Sequence, residues 1–244
     1  MKHGVGVMVL VGFAATAFAA EPEHWSYEGA TGPEHWGELS PENAMCAIGR
    51  NQAPIDITGA MHVAEAALHP RYVAGSAQIV NNGHTVQVDF KPGNTLIVDG
   101  VTFGLVQMHF HAPSENTIAG HSFPMEAHFV HADPKGNLLV LALMFKEGPA
   151  NRALAKVWSA MPATEGPAVA LPDAVTPMQL MPGAMQYYRF SGSLTTPPCS
   201  EGVRWLVLET PVSASAAQIH AFEHAVGHHN NRPLQALNGR VVIR

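Results

Sequence analysis

Residues 101–116 read VTFGLVQMHFHAPSEN. The run is rich in β-branched and aromatic residues and is closed by Pro113 and Ser114, the pattern of a strand that ends in a turn. Side chains alternate along a strand, so Gln107, His109 and His111 share one face while Met108 and Phe110 take the other. One face carries imidazole; the other belongs to a core. Residues 125–132, MEAHFVHA, set Glu126, His128 and Val130 against Ala127, Phe129 and His131 by the same rule. If the two strands are neighbours, a third imidazole joins the first two.

Three neutral imidazoles with a fourth tetrahedral position left open is the arrangement of catalytic zinc, whereas structural zinc usually takes four protein ligands rich in Cys. A ligating histidine also needs an acceptor on its other ring nitrogen to fix its tautomer, and Gln107 suits His109 as Glu126 suits His128. The plainer alternative is that the repeat reflects a chain with 15 histidines, most of them on the surface. The spacing His-x-His-x3-Glu also resembles the first motif of a cupin, which would make Glu115 a fourth ligand. That reading fits poorly, because the flanking glycines are misplaced and SFPMEAH, residues 122–128, lacks the expected P-x-G.

Further short apolar or alternating runs surround these two: AQIV (77–80), HTVQVDF (84–90), TLIVDG (95–100), LLVLALMF (138–145), YYRFSGSL (187–194) and VRWLVLET (203–210). Strands at such short intervals predict a mainly β, α+β domain built on a large, twisted, mostly antiparallel central sheet. Helical patterning is confined to Asn151–Met161 and Ser213–Ala225, the second opened by Ser213 as N-cap, so the helices are short and peripheral. Residues 161–183 are dense in Pro, Ala and Gly and read as loop.

The chain has 244 residues, 47% of them hydrophobic, enough for the core of one domain. Charged residues make up 13%, the formal net charge is −6, and Lys and Arg form no stripe, which argues against nucleic acid and anionic membranes and for a small or neutral ligand. Residues 1–20 join Lys2 to a short apolar run and an A-x-A step, and so read as a secretory signal peptide cleaved after Ala19 or Ala20, leaving a domain of residues 21–244. The run Gly4–Ala20 is short for a membrane span, and nothing else in the sequence could cross a bilayer. A periplasmic or secreted location follows. An oxidising compartment favours a disulfide between Cys46 and Cys199, the only two cysteines, over two buried free thiols. In the chain-entropy model such a bond is worth roughly 4–5 kcal/mol.

Several other segments join the histidine motifs in order: GPEHW (32–36), PIDI (54–57), NNGH (81–84), GSLTTPPC (192–199) and NNRPLQ (230–235). Together they resemble the α-class carbonic anhydrases, in their exported bacterial branch, from about Trp25 to Arg240. The resemblance implies Zn2+ held by His109, His111 and His128, with Gln107, Glu126 and the Asn230 carbonyl orienting the rings. It implies reversible hydration of carbon dioxide to bicarbonate by attack of zinc hydroxide, with hydrolysis of activated esters as a possible side activity. Thr195 matches the threonine that orients the hydroxide, and Glu115 the carboxylate that accepts the threonine's proton. His84 matches the proton shuttle, and Tyr27 a tyrosine that orders water. Val130, Val140, Leu194, Thr196, Val203 and Trp205 match the substrate pocket. Cis peptides are expected before Pro54 and Pro198.

The expected partner is a small molecule, carbon dioxide or bicarbonate, bound by a monomer or homodimer. Departures from the animal pattern are Asn116, where a histidine is common, and Asn231, where a tryptophan is; they put the finer hydrogen bonding around the site in question. His220, His224, His228 and His229 read as helix-face or loop residues. The rival reading is a non-catalytic zinc- or ligand-binding domain on the same fold, but such domains typically lose a histidine ligand and all three are present here.

Overall fold

The computed structural model describes residues 24–64, 66–171 and 175–244, so the signal peptide expected at residues 1–20 lies outside the described residues. The strands are β1 (Asp56–Ile57), β2 (Ser76–Asn81), β3 (Val86–Phe90), β4 (Thr95–Val98), β5 (Val101–His111) and β6 (Thr117–Ile118). They continue as β7 (Met125–Ala132), β8 (Leu138–Glu147), β9 (Val169–Ala170), β10 (Tyr187–Ser193), β11 (Glu201–Leu208) and β12 (Val212–Ala214). Ten of them form one sheet whose main path runs β10-β11-β8-β7-β5-β3-β2-β9, with β4 added to β5 and β12 to β8. The remaining two, β1 and β6, pair with each other.

The expected sheet is present, and it is mixed: β8 pairs in parallel with both β11 and β12, while the other ladders of the large sheet are antiparallel. The reason is connectivity. Parallel neighbours need a long crossover, and the chain leaves β8 through residues 148–186 before returning as β10 and β11.

Both faces of β8 are buried, which explains its unbroken apolar run. Leu139, Leu141, Leu143 and Phe145 pack into one hydrophobic cluster together with Met108, Phe110 and Phe129. Val140, Ala142 and Met144 turn the other way, into a second cluster with Val203, Trp205 and Val207. Fully burying such a side chain contributes about 1.5–3 kcal/mol, so the strand is fixed from both sides.

The helices are short: α1 (Trp36–Leu39), α2 (Met45–Ile48), α3 (Arg152–Trp158) and α4 (Ala216–Val226). Asn151 caps α3 through the backbone N–H groups of Ala153 and Leu154. The cap of α4 is Ser215, in a capping box with Gln218, and not Ser213. Ser213 is taken by β12, where it pairs with Lys146. At the other end Gly227 adopts φ 82°, the left-handed conformation that a glycine reaches without a Cβ clash, and its N–H closes the helix on the Glu223 carbonyl. Residues 161–183 are loop apart from β9 and a 3-10 turn at Pro177–Gln179, within the described residues.

Cys46 on α2 is bonded to Cys199, with Cα atoms 5.0 Å apart, as expected from the sequence. The Ala53–Pro54 and Pro197–Pro198 bonds are cis, as is Ala112–Pro113, which was not expected. Among the described residues no helix is long and apolar enough to cross a membrane.

Candidate metal centre

β5 and β7 are antiparallel neighbours in a register that sets His109 opposite His128 and His111 opposite Glu126. Directly paired residues point to the same side of a sheet, so the alternation read in each strand now adds up. Their ring centroids lie 5.0 Å apart for His109–His111, 5.2 Å for His109–His128 and 4.5 Å for His111–His128. One nitrogen from each ring falls within 4.8 Å of the others.

Each outer nitrogen has its own acceptor. His109 Nδ1 donates to Gln107 Oε1 at 2.9 Å and His111 Nδ1 to the Asn230 carbonyl at 2.7 Å. His128 Nε2 stands 2.9 Å from Glu126 Oε1, so the carboxylate lies behind this ring as well, although the pair falls short of hydrogen-bond geometry. Gln107, the Asn230 carbonyl and Glu126 thus each lie beside one ring nitrogen, and the second nitrogen of every ring faces its neighbours. His111 Nε2 is buried and has no hydrogen-bond partner, an arrangement that is costly unless something binds there.

Burial, followed by the nearby rings, holds His109 and His128 well below the usual imidazole range. Burial lowers His111 as well, opposed by its bond to the Asn230 carbonyl and by Glu126. The rings are thus neutral, and neutral imidazole is the form that binds a metal. A donor set of three neutral nitrogens, oriented from behind and open in front, fits a divalent ion such as zinc.

Glu115, expected one step out from the metal, is buried beside the cluster, its Oε2 3.5 Å from His111 Nε2 and 3.9 Å from His128 Nδ1. Its Oε1 accepts the Arg232 backbone N–H at 2.9 Å. Burial pushes its carboxyl up to about 8, while the Arg232 N–H and the Thr195 hydroxyl pull it down. A cation among the imidazoles would lower the carboxyl further.

The loop carrying Thr195 is held on several sides. Cys199 N donates to the Thr196 carbonyl at 2.9 Å, and Gln52 Nε2 to the Cys199 carbonyl at 3.0 Å. Leu194 packs with Val130, Val140, Val203 and Trp205 in the second hydrophobic cluster, and the register lines up Val130, Val140 and Trp205 across three strands. Trp205 meets His128 edge-on at 4.9 Å and donates its indole N–H to the Ser193 carbonyl. Gly192 is required here, because a Cβ would come within 2.9 Å of the Trp205 ring. An apolar wall therefore adjoins the imidazoles.

His84 lies on a half-buried rim, beside a cavity of about 310 Å3 that is also lined by Trp25, Tyr27, Glu165 and His228. Its ring stacks on Trp25 at 3.7 Å and on His24 at 5.0 Å. Burial, followed by His24 and His228, lowers it to about 4, below the near-neutral range that suits a proton carrier. Tyr27 meets His84 at 6.4 Å, and burial together with the Glu115 charge raises its hydroxyl. A larger cavity, about 500 Å3, is elsewhere, between Leu68, Tyr187 and Arg244, and touches none of these groups.

Three contributors had not been expected: Arg232, which supplies the N–H to Glu115, and Trp25 with His24, which stack on His84. Arg232 had a faint signal, as a lone charge inside the otherwise uncharged NNRPLQ.

Fold and site together define a single-domain sheet protein with a pocket for one metal ion, formed by imidazoles from two adjacent strands. The chain belongs to the eukaryotic-type carbonic anhydrase family, whose sequence pattern matches residues 31–244. It is 50% identical over 243 residues to a carbonic anhydrase of Pectobacterium carotovorum, covering 100% of both chains. It is 48% identical over 235 residues to one from Neisseria gonorrhoeae, covering 94% of this chain and 93% of the other. The α-carbonic anhydrase of Thermovibrio ammonificans, solved with the inhibitor sulfanilamide, superposes with a TM-score of 0.89 at 50% identity, covering 91% of this chain and 99% of that one. Membership of this family supports an enzyme that hydrates carbon dioxide.

Proposed function

We propose that the chain is a zinc-dependent enzyme interconverting carbon dioxide and water with bicarbonate and a proton. The observation that carries this reading is the convergence of three neutral imidazoles, each held from behind by a different acceptor, beside the Thr195–Glu115 pair. His109, His111 and His128 would hold the zinc ion, a Lewis acid that brings the pKa of bound water to roughly 7, a figure known for carbonic anhydrases generally rather than obtained from this chain.

The protein's own groups do the rest. An ionised carboxylate only accepts, so Glu115 draws the Thr195 hydrogen toward itself and leaves a lone pair facing the pocket. That lone pair holds the hydrogen of the attacking oxygen and turns the oxygen's own lone pair toward the substrate. Carbon dioxide has no dipole and little use for hydrogen bonds, which suits the wall of Val130, Val140, Leu194, Val203 and Trp205. Each turnover releases a proton, and His84 is placed on the pocket rim to carry it outward once its ring swings out of the burial that depresses it. Tyr27, close enough to feel the Glu115 charge, orders water between them.

Hydrolysis of activated esters is a secondary activity of the same pocket, with a lower kcat/KM than carbon dioxide hydration. Residues 1–20 act as a cleaved leader, and the mature domain works in the periplasm or outside the cell as a monomer or homodimer. Metal analysis of the purified protein together with a hydration assay tests the main reading. Expected are one zinc per chain, activity lost to a chelator and activity restored by added zinc. Full activity in a metal-free protein rejects it, and zinc binding without turnover favours the non-catalytic alternative.

A further inference from the structure

Asn116 is fully buried, at 0% exposure. Its contacts run toward Glu126. A carboxylate offers about four acceptor positions, and those of Glu126 are nearly filled: Oε2 accepts the backbone N–H groups of Glu115 at 2.8 Å and Asn116 at 2.9 Å, and Oε1 accepts Asn116 Nδ2 at 2.8 Å. The position left over faces His128 Nε2, at 2.9 Å. Two of the three hydrogen bonds that hold the carboxylate therefore come from one residue.

The amide itself is fixed. Asn116 Oδ1 accepts the Ile55 backbone N–H at 3.1 Å. Turned over, the amide would set oxygen against the carboxylate and NH2 against a donor, so only one orientation satisfies both neighbours. Asn116 joins the segment at Ile55 to the group that orients a ligand ring.

We propose that Asn116 is a positioning residue of the metal centre, its side-chain amide clamping Glu126 so that the His128 ring keeps its proton on Nε2 and its lone pair on Nδ1. The proposal rests on the zinc reading above. It assigns the amide a role beyond packing, because a carboxylate held from one side only can rotate away from His128 and loosen the ligand's tautomer and direction. Losing such an outer partner typically weakens metal binding about 10–100-fold.

The test compares zinc-loaded wild type with Asn116→Ala, Asn116→Asp and Asn116→His. The readouts are the zinc release rate under excess chelator and the melting temperature of each metal-free protein. Aspartate can still accept from Ile55 N but cannot donate to Glu126; histidine restores an N–H donor. The expected result is release about 10–100-fold faster in the Ala and Asp variants, with recovery toward wild type in the His variant. Should the Ala variant fail to fold, the Asp and His variants decide the matter between them. Release rates within twofold of wild type, with only the metal-free melting temperature lowered, would make Asn116 a packing residue and overturn the proposal. A wild type that retains no zinc removes the zinc reading and this proposal with it, whereas a wild type that retains zinc beside variants with unchanged release removes this proposal alone.

Discussion

His128 and His131 stand three residues apart on β7, both buried, on opposite faces of the same sheet. His128 faces two other imidazoles and has a carboxylate behind it. His131 sits on the reverse face with the apolar cluster, its Nε2 paired with the Tyr72 hydroxyl at 2.7 Å. Residue type, burial and strand are shared, so none of them makes a histidine functional. The decisive quantity is strand phase: three positions along a strand change the face, and only one face meets the imidazoles of β5.

Deleting an imidazole from the site face gives the largest expected effect. His111→Ala leaves two of three nitrogen donors, so zinc per chain should fall far below one and hydration by well over about 100-fold, more than the loss of an outer partner produces. Far-UV circular dichroism should stay that of wild type, because the β5 backbone ladder is untouched. A His111→Ala protein that turns over like wild type would mean that this face is not the catalytic one. Leu141→Ala probes the opposite face of the sheet. Leu141 is fully buried and paired with Phe129 and Leu206, so truncation should cost about 2–5 kcal/mol by denaturant unfolding. Its kcat per bound zinc should stay within a few-fold of wild type. If instead kcat falls as far as it does in His111→Ala, the two faces are not separable.

The site was legible because period 2 is strict. His109, His111 and His128 could be assigned a face before any neighbour was known, and the apolar run of β8 could be read as a strand. Register and neighbour order were not legible, since ladders such as β8–β11 join residues some 65 positions apart, for example Leu139 with Arg204, and leave no local trace. The cap of α4 was misplaced by two residues because Ser213 and Ser215 look alike in sequence, and only pairing with β8 removes the first. Glu115 and Thr195 came from family resemblance; as bare residues they suggest a surface charge and a turn. Arg232 escaped notice because its contribution is a backbone N–H, which any residue but proline could supply. The low proton affinity of His84 comes from burial, followed by His24 and His228, groups far from it in sequence.

His131 gives the smallest effect and the sharpest contrast with the site face. Burial lowers it from 6.5 to about 4, so the folded protein refuses a proton that the unfolded chain accepts. Above pH 6.5 the ring is neutral in both states and its contribution to stability is complete. As pH falls from 6.5 toward 4, protonation favours the unfolded chain, and up to about 3 kcal/mol is lost, at roughly 1.4 kcal/mol for each pH step of one across that window. His131→Gln keeps a polar partner for Tyr72 but does not titrate. Zinc-loaded wild type should therefore lose about 2–3 kcal/mol more than the variant between pH 7 and pH 4.5 in matched denaturant titrations. Acid release of zinc acts on both proteins alike and drops out of the difference, as does the titration of His84. Parallel stability curves for the two proteins would mean that the reverse face tolerates a charged imidazole, and the contrast between the faces would then rest on metal binding alone.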